Sequence, residues 1–586
     1  MAADTATTVA PPEAGSLEPS RAEHRRILII LGALMLGMIL ASLDQTIVAT
    51  ALPTIAGDLH GLNHLSWVVT AYLLTSTIST PLWGKLGDLY GRKKLFQASI
   101  VIFLVGSALA GLSQSMAQLI AFRALQGVGA GGLLVGAQAI MGDVVSPRQR
   151  GRYMGYFGAV FGITSVAGPL LGGVFTEQLS WRWVFYINVP IGIVALFVIA
   201  SVLHVPVRRT EHAVDYLGTA LLGAAVTAVI LLTTWGGTTY PWGSSAIVAL
   251  GLGAAFLFVA FCVVESRAAE PLIPLSLFRN RVFTVTIAVG FIVGFIMFGA
   301  IIYIPLYLQT VHGASPTTSG LELLPMVFGM LATFISSGRL VTRWGRYKIF
   351  PIAGTAVMSV GLYLLSLMTP RTPLEVSSVF MFVVGLGVGL VMQVLVVAVQ
   401  NAVPYTQLGT ATSAATFFRS IGGSFGVALF GSIFSTRLFD ELPKYLPPAA
   451  LHHVAGHNIS SNPAQLNALP PAVHMGYVQA FSHSLNAVFV IGVPFAVAAF
   501  LLSLLLKEVP LRDHAFVAPS HDDEVPSADS IANASANTSG ASAKTTGHGA
   551  SANSSGARAN SSLDGDYANA DRTHACATTS SNRRVR

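Results

Sequence analysis

Long apolar runs separated by short polar loops recur along the chain from residue 27 to residue 506. A helix rises about 1.5 Å per residue, so ~20 residues cover the ~30 Å of bilayer hydrocarbon, and each run predicts a membrane-spanning helix. The runs fall at 27–56, 65–83, 95–113, 117–142, 152–175, 183–203, 214–235, 244–264, 282–310, 317–338, 350–369, 375–399, 407–436 and 483–506, which makes fourteen spans. Between the second and third lies a short basic hairpin, Gly84-Lys-Leu-Gly-Asp-Leu-Tyr-Gly-Arg-Lys-Lys-Leu-Phe96. The runs flanking it, Leu65 to Trp83 and Leu95 to Leu112, carry no charge.

The placement of cations tests the count, because short loops rich in Lys and Arg stay in the cytoplasm. Alternate loops hold Lys85, Arg92, Lys93 and Lys94; then Arg148, Arg150 and Arg152; Arg208 and Arg209; Arg267, Arg279 and Arg281; and Arg339, Arg343, Arg346 and Lys348. The intervening loops hold only Arg182, Arg371, Arg437 and Lys444. One span more or fewer would scramble this alternation, so an even count with both termini cytoplasmic is expected. Among the loops predicted inside, only the one near Pro404 lacks a cation. Internal repetition gives a second test. Gly127-Val-Gly-Ala-Gly131 and Gly385-Leu-Gly-Val-Gly389 lie at one constant spacing. That spacing also relates Asp143 to Asn401, Gln149 to Gln407, Gly151 to Gly409, Gly168 to Gly426 and Gly173 to Gly431. A worn copy of the basic hairpin runs from Gly338 to Arg346, with Thr342 in the place of Asp88. The chain therefore reads as two six-span halves, 27–203 and 282–506, with spans seven and eight, 214–264, inserted between them.

Composition agrees: apolar residues make up 53% of the chain and charged ones only 10%, too few to cover the surface of a soluble protein. The formal net charge of +7 sits mostly in loops, where it reports topology rather than a nucleic-acid footprint. Cys262 and Cys576 offer no framework for disulfides or metal. Residues 1–26, rich in Ala, Pro, Thr and Glu, and 511–586, rich in Ser, Ala, Asn, Gly and Thr, are expected to be disordered cytoplasmic ends. The stretch 437–482, with its Pro, His and Asn, reads as a long external loop. No cleavage-like site interrupts the apolar stretch beginning at Ile27, so no cleavable leader is expected. Gly127-x-Gly-x-Gly lies inside a span with no strand before it and is not a nucleotide loop. With no P-loop, His/Cys metal spacing or nucleophile elbow in the sequence, no cofactor, metal or enzymatic activity is expected.

In the basic hairpin, Gly84, Gly87 and Gly91 let backbone and neighbouring helices approach closely, and Asp88 sits alone among cations. The pattern G-x-L-x-D-x-x-G-R-K resembles the signature loop of the major facilitator superfamily, which lies between that family's second and third spans. The resemblance implies an all-α integral membrane protein of the major facilitator fold: two six-helix bundles plus, here, two inserted transmembrane helices. It also implies a cytoplasmic gating loop of Gly84, Asp88, Gly91 and Arg92, in which the Asp and Arg hold that side shut in one of two states.

Further polar positions lie inside the apolar runs. Gly37, Ala41, Asp44, Val48 and Ala51 share one helical stripe, so Asp44 faces packed protein or a cavity rather than lipid. A carboxylate there is costly, and is functional or paired. Its expected partner is Arg123 in the fourth span, and both fall in the outer half of the membrane. Opposite charge favours the ionised acid and burial the neutral one, so the pair either exchanges a proton as the conformation changes or is a static ion pair that orients helices. In the resembling family, the corresponding Asp and Arg belong to motifs tied to proton coupling. Span five carries a run of small residues from Gly162 to Gly173 with a proline mid-helix, which gives either a bendable contact surface or simply tight packing. Within it Gly168, Pro169, Gly172 and Gly173 resemble the antiporter motif G-P-x-x-G-G. Together with Trp181-Arg-Trp-Val-Phe-Tyr-Ile-Asn-Val-Pro190, the fourteen spans resemble the drug:proton antiporter subfamily.

A substrate cavity is less sharply marked. Trp67, Tyr72, Tyr303, Tyr307, Phe417 and Phe418 are candidates for an apolar lining, with Gln126 and Gln393 adding hydrogen bonds. Glu322 departs from the apolar residue usual at its position in the family motif; it either attracts a cationic substrate or is solvated at the outer end of span ten. Arg419, midway in span thirteen, either pairs with Glu322 or binds an anionic group. The resemblance implies proton-coupled export of amphipathic drugs or similar small molecules by alternating access. The partners expected are the small-molecule substrate, protons and membrane lipid, with no nucleic acid, and no residue pattern identifies an adaptor protein. A dedicated exporter of one endogenous metabolite, antibiotic or lipid is the alternative. A transporter-fold sensor would lose the embedded ion pair and carry a folded domain in its tail.

Overall fold

The computed structural model describes residues 21–59, 65–203, 215–237, 239–448 and 470–512, and among these the chain is helical with no strand. The first half runs α1 (Arg21–Asp58), α2 (Leu65–Tyr90), α3 (Arg92–Gly111), α4 (Met116–Val144), α5 (Pro147–Gln178) and α6 (Trp183–Val202, interrupted at Ile187). Two helices follow, α7 (Tyr216–Trp235) and α8 (Ser245–Glu265). The second half runs α9 (Arg281–Val311), α10 (Leu324–Trp344), α11 (Ile349–Ser366), α12 (Leu374–Ala402), α13 (Leu408–Tyr445) and α14 (Pro471–Leu504). Thirteen stretches among the described residues are long and apolar enough to cross a membrane. The fourteenth, α2, is 26 residues long, and its hydroxyls lower its hydropathy. Those hydroxyls are turned inward: Thr75 donates to the carbonyl of Ala124 at 2.7 Å, and Ser79 to that of Val128 at 3.1 Å.

The two halves repeat one set of helix pairings. In the first, α1 packs on α5 and α6, α2 on α4, and α3 on α4 and α6; in the second, α9 packs on α13 and α14, α10 on α12, and α11 on α12 and α14. The paired glycine motifs explain how. Gly127 and Gly131 of α4 face α2 while Gly129 faces α3, and Gly385 and Gly389 of α12 face α10 while Gly387 faces α11. A Cβ on Gly129 would stand 2.5 Å from the Phe103 nitrogen, and one on Gly387 would stand 2.6 Å from the Met358 nitrogen. Both triplets are thus small-residue seams that let three helices approach closely.

Between the halves, α5 packs on α10 and α2 on α13, again as counterparts. The inserted α7 and α8 pair with each other, and α7 leans on α2 and α13. Leu222, Val226 and Ile230 of α7 share a buried cluster with Phe283 and Phe417, whereas Leu252 and Phe256 of α8 are 69% and 72% exposed, as expected of a lipid-facing helix.

Several boundaries differ from the sequence expectation. Residues 21–26, expected in a disordered end, open α1, because nothing in Arg21-Ala-Glu-His-Arg-Arg26 breaks a helix; His24 Nδ1 lies 2.8 Å from the Tyr153 hydroxyl. Residues 1–20 lie outside the described residues. In the long loop expected at 437–482, the described residues are mostly helix. α13 continues to Tyr445 and α14 starts at Pro471, and the extensions are held by Leu438, Leu442 and Leu446 packing with Tyr477 and Phe481. Only 449–469 of that stretch lie outside the described residues. After α14 the chain runs on as a packed strap to Arg512, with Leu506 and Leu511 buried, so the expected disordered tail does not begin at 511. Residues 513–586, and the cations Arg208 and Arg209, fall outside the described residues.

Candidate functional site

Asp44 is fully buried in α1, on the stripe the sequence predicts. The Arg123 guanidinium of α4 donates to its Oδ2 at 2.5 Å and to Gln126 Oε1 at 2.7 Å. Gln126 Nε2 in turn donates to Asp44 Oδ1 at 2.8 Å, and Asn188 Nδ2 donates to the same oxygen at 3.1 Å. Asn188 opens the second piece of α6. Pro190 just beyond it lacks the N–H that would bond the Tyr186 carbonyl, which breaks the helix there. Asn188 also donates to Ser107 Oγ at 3.0 Å, and the Ser107 hydroxyl donates to the Phe185 carbonyl at 2.8 Å. The Tyr72 ring lies 4.1 Å from Arg123 Cζ, and its hydroxyl donates to the Ala41 carbonyl. The carboxylate therefore meets three donors, one of them its counter-charge, all from its own half. Charge-assisted bonds in a dry interior are strong and geometrically demanding, so a change of protonation here would disturb four helices at once.

The opposite face of α1 is joined to α5. Ser42 Oγ is 2.7 Å from Thr164 Oγ1, and Thr46 Oγ1 donates to the Thr164 carbonyl at 3.0 Å. Gly168 and Gly172 admit the Thr46 and Thr50 side chains, Pro169 lies beside Gly320 of the short helix before α10, and Gly173 faces open space. Three of the four motif residues thus serve α5 contacts, and two press on the helix that carries Asp44.

At the end bearing the basic loops the halves are joined. Asp88 Oδ1 accepts the Gly409 N–H at 2.9 Å, and Oδ2 accepts the Thr410 N–H at 2.7 Å and the Thr410 hydroxyl at 2.9 Å. These are the first free N–H groups of α13, whose own N-cap, Gln407, makes no side-chain cap bond. Asp88 is thus the N-cap of a helix in the other half, and its charge opposes the positive helix end. Arg92 holds it in place with a bond of 2.7 Å to Oδ1, and is itself ion-paired to Asp143. Gly84 lies against Gly409 and Ser413, and Gly91 has φ 94, a conformation side chains rarely adopt. A second tie crosses beside it: Gln400 Nε2 of α12 donates to the Gln138 carbonyl of α4 at 3.1 Å, and Arg150 reaches Gln400 Oε1 at 3.4 Å. Lys85 pairs with Glu270, beyond α8, at 2.6 Å, tying the inserted helices to the hairpin.

The model of the Major Facilitator Superfamily matches residues 34–427. The chain belongs to this superfamily. It is a transporter, not an enzyme. It is 47% identical over 523 residues to an uncharacterized MFS-type transporter of Mycobacterium tuberculosis, covering 89% of this chain and 74% of the relative. It is 39% identical over 514 residues to the multidrug transporter protein MdtP of Bacillus subtilis, covering 84% of this chain and 95% of the relative. Among solved structures, the human organic anion transporter MFSD10 superposes with a TM-score of 0.54 at 16% identity, covering 82% of this chain and all of that one; at this identity it shows the shared fold alone.

Against the superfamily frame, the expected cavity residues scatter. Tyr72 and Gln126, expected to contact substrate, belong to the Asp44 cluster. Trp67 stacks edge-on to Trp235 of inserted α7 at 6.2 Å. Tyr303 and Tyr307 sit in the second half's core, where the Tyr307 hydroxyl donates to the Thr369 carbonyl at 2.8 Å. Phe417, 1% exposed, packs with Phe418 toward α7. Each aromatic is placed by neighbouring helices, whose rotation about their axes a single sequence does not give. Glu322 and Arg419 are not paired with each other: Glu322 Oε2, at the far end before α10, has no partner among the described residues. Gln393 is buried with its Oε1 unpaired, and Arg419 lines a cleft in the second half. Asn188, Gln400, Thr410 and Glu270 were not read from the sequence. Asn188 alone carried a signal, as a polar residue inside an otherwise apolar and aromatic stretch.

Proposed function

We propose that this protein is a proton-coupled exporter of amphipathic small molecules. It works by alternating access in the cell membrane, with both ends of the chain cytoplasmic. The observation that carries the reading is Asp44, a carboxylate buried in the membrane interior and held by Arg123, Gln126 and Asn188. Protonation would release the Arg123 pair and loosen α1 from α4 and α6. Gly168 and Gly172 of α5 press on the other face of α1, so the movement passes to the helix that packs on α10 of the second half. Asp88 and Arg92 then act as the latch of one of the two states, closed at the basic end. Export, rather than uptake, is supported by the glycine-proline sequence of α5 and by relatives named as multidrug transporters. Fluorescent dye accumulation in inside-out vesicles tests it: an imposed proton gradient should drive uptake of several amphipathic dyes, and a protonophore should abolish it. Gradient-independent dye movement would refute the coupling.

A further inference from the structure

Arg419 stands apart from the other arginines held inside the helices. Arg92, Arg123 and Arg150 each spend their donors on carboxylates, amides or carbonyls. The Arg419 guanidinium has no hydrogen-bond or ion-pair partner among the described residues. It opens on a small cleft between α9, α12 and α13, lined by Thr286, Val293, Met392, Leu395 and Val396. The hydroxyl of Thr286 on this wall, 1% exposed, is also without a partner. Gln393, next to Met392 in the chain, has a buried, unpaired Oε1 as well. Gly294 of α9 backs onto Arg419, and a Cβ there would stand 3.0 Å from Arg419 Cγ, so the stem is confined while the head is free.

An uncompensated cation in a membrane interior is expensive, and persists where a ligand meets it during function. We propose that this cleft binds the anionic head of an amphipathic ligand, a carboxylate, sulfonate or phosphate. The head engages Arg419 through two parallel bonds and takes a third from the Thr286 hydroxyl, while the apolar body lies along Val293, Met392 and Leu395. This deepens the transport reading by naming a substrate class, and it rests on that reading only for the claim that the ligand is moved.

The test uses the full chain reconstituted in phosphatidylcholine vesicles, with a fluorescent aromatic carboxylate and its methyl ester as probes. The carboxylate should bind at least about 10-fold more tightly than the ester. Arg419→Gln should erase that preference, Arg419→Lys should keep part of it, and Thr286→Val should weaken the carboxylate several-fold with the ester unchanged. Competition by added phosphatidylglycerol would name a lipid headgroup as occupant; its absence would name a soluble anion, and either supports the site. Equal binding of the two probes by the unaltered protein would overturn it, as would an undiminished preference in Arg419→Gln. If Arg419→Gln does not fold, the unaltered protein and Thr286→Val decide. Proton-driven efflux of neutral and cationic dyes is measured in the same vesicles. Its survival without any carboxylate preference removes this site alone, and its loss removes the transport reading.

Discussion

Asp44 accepts bonds from three side chains, and an amide in its place can accept at only one atom. Asp44→Asn would point an NH2 group at Arg123 or at the amides of Gln126 and Asn188, which are themselves donors. It also leaves Arg123 buried without its counter-charge, a loss of about 3–5 kcal/mol for a broken buried pair. The expected result is loss of uphill efflux with downhill movement of substrate retained in part, at a reduced thermal midpoint. Paired assays of gradient-driven and counterflow transport check it; concentrative efflux by Asp44→Asn would move the coupling to another acid, with Glu322 the next to test. Asn188→Ala removes one donor and keeps the charge pair, so coupling should survive at a lower rate. At this scale the sequence was informative where cost speaks: a charge inside an apolar run has to be paired, and Arg123 was the nearest candidate in depth. Gln126 and Tyr72 were placed on the right helices and given the wrong neighbours, because helical periodicity fixes a face and not what the face meets.

Between elements, the decisive contact is a helix end capped by a residue from the other half. The N-terminus of α13 offers Gly409 and Thr410 N–H groups, and Asp88 takes both. A charged acceptor at such a position contributes about 1.5–3 kcal/mol, so Asp88→Asn should shift a two-state equilibrium away from closure at the basic end by about 10- to 100-fold. Ser413 is fully buried beneath this latch. In a protein lacking Cys262 and Cys576, maleimide labelling of Ser413→Cys should accelerate when Asp88→Asn is added, with substrate affinity within about 2-fold of its starting value. Unchanged labelling with a large loss of affinity would place Asp88 in the substrate path. The spacing of glycines, Asp and Arg made the hairpin legible, but the helix it caps lies more than 300 residues away and had no local signal. The repeat shows the asymmetry too: Thr342 stands where Asp88 would, Arg346 is exposed, and Asn401, the counterpart of Asp143, holds the strap after α14 instead of an arginine.

Over the whole molecule, one set of helix pairings used twice leaves two seams, α5 with α10 and α2 with α13, about which halves of this kind can rock. The alternation of cationic loops orients the assembly: a single cysteine at Ser461 should react with an impermeant reagent from outside the cell and one at Ser551 should not, and labelling of both from one side would break the even count. The strap after α14 is the feature that composition hid, since its few residues are neither apolar enough for a span nor polar enough to stand out from the tail. Asn401 donates to the carbonyls of Val509 and Pro510, Tyr347 donates to the Lys507 carbonyl and receives the Val509 N–H, and the Arg148 N–H of the first half bonds the Arg512 carbonyl. The strap thus touches both halves at the basic end, and with Leu506 and Leu511 buried it stabilises the arrangement closed there. A chain ending at residue 512 keeps every one of these contacts, and the Ser-, Asn- and Gly-rich remainder has too few apolar residues to add a core. A chain ending at residue 504 loses them all and leaves the Asn401 amide and the Tyr347 hydroxyl unpaired, at about 1–3 kcal/mol for each buried polar group. The first truncation should transport at the full-length rate. The second should show a lower thermal midpoint and faster labelling of Ser413→Cys, as Asp88→Asn does; equal behaviour of the two truncations would deny the strap any part in closure.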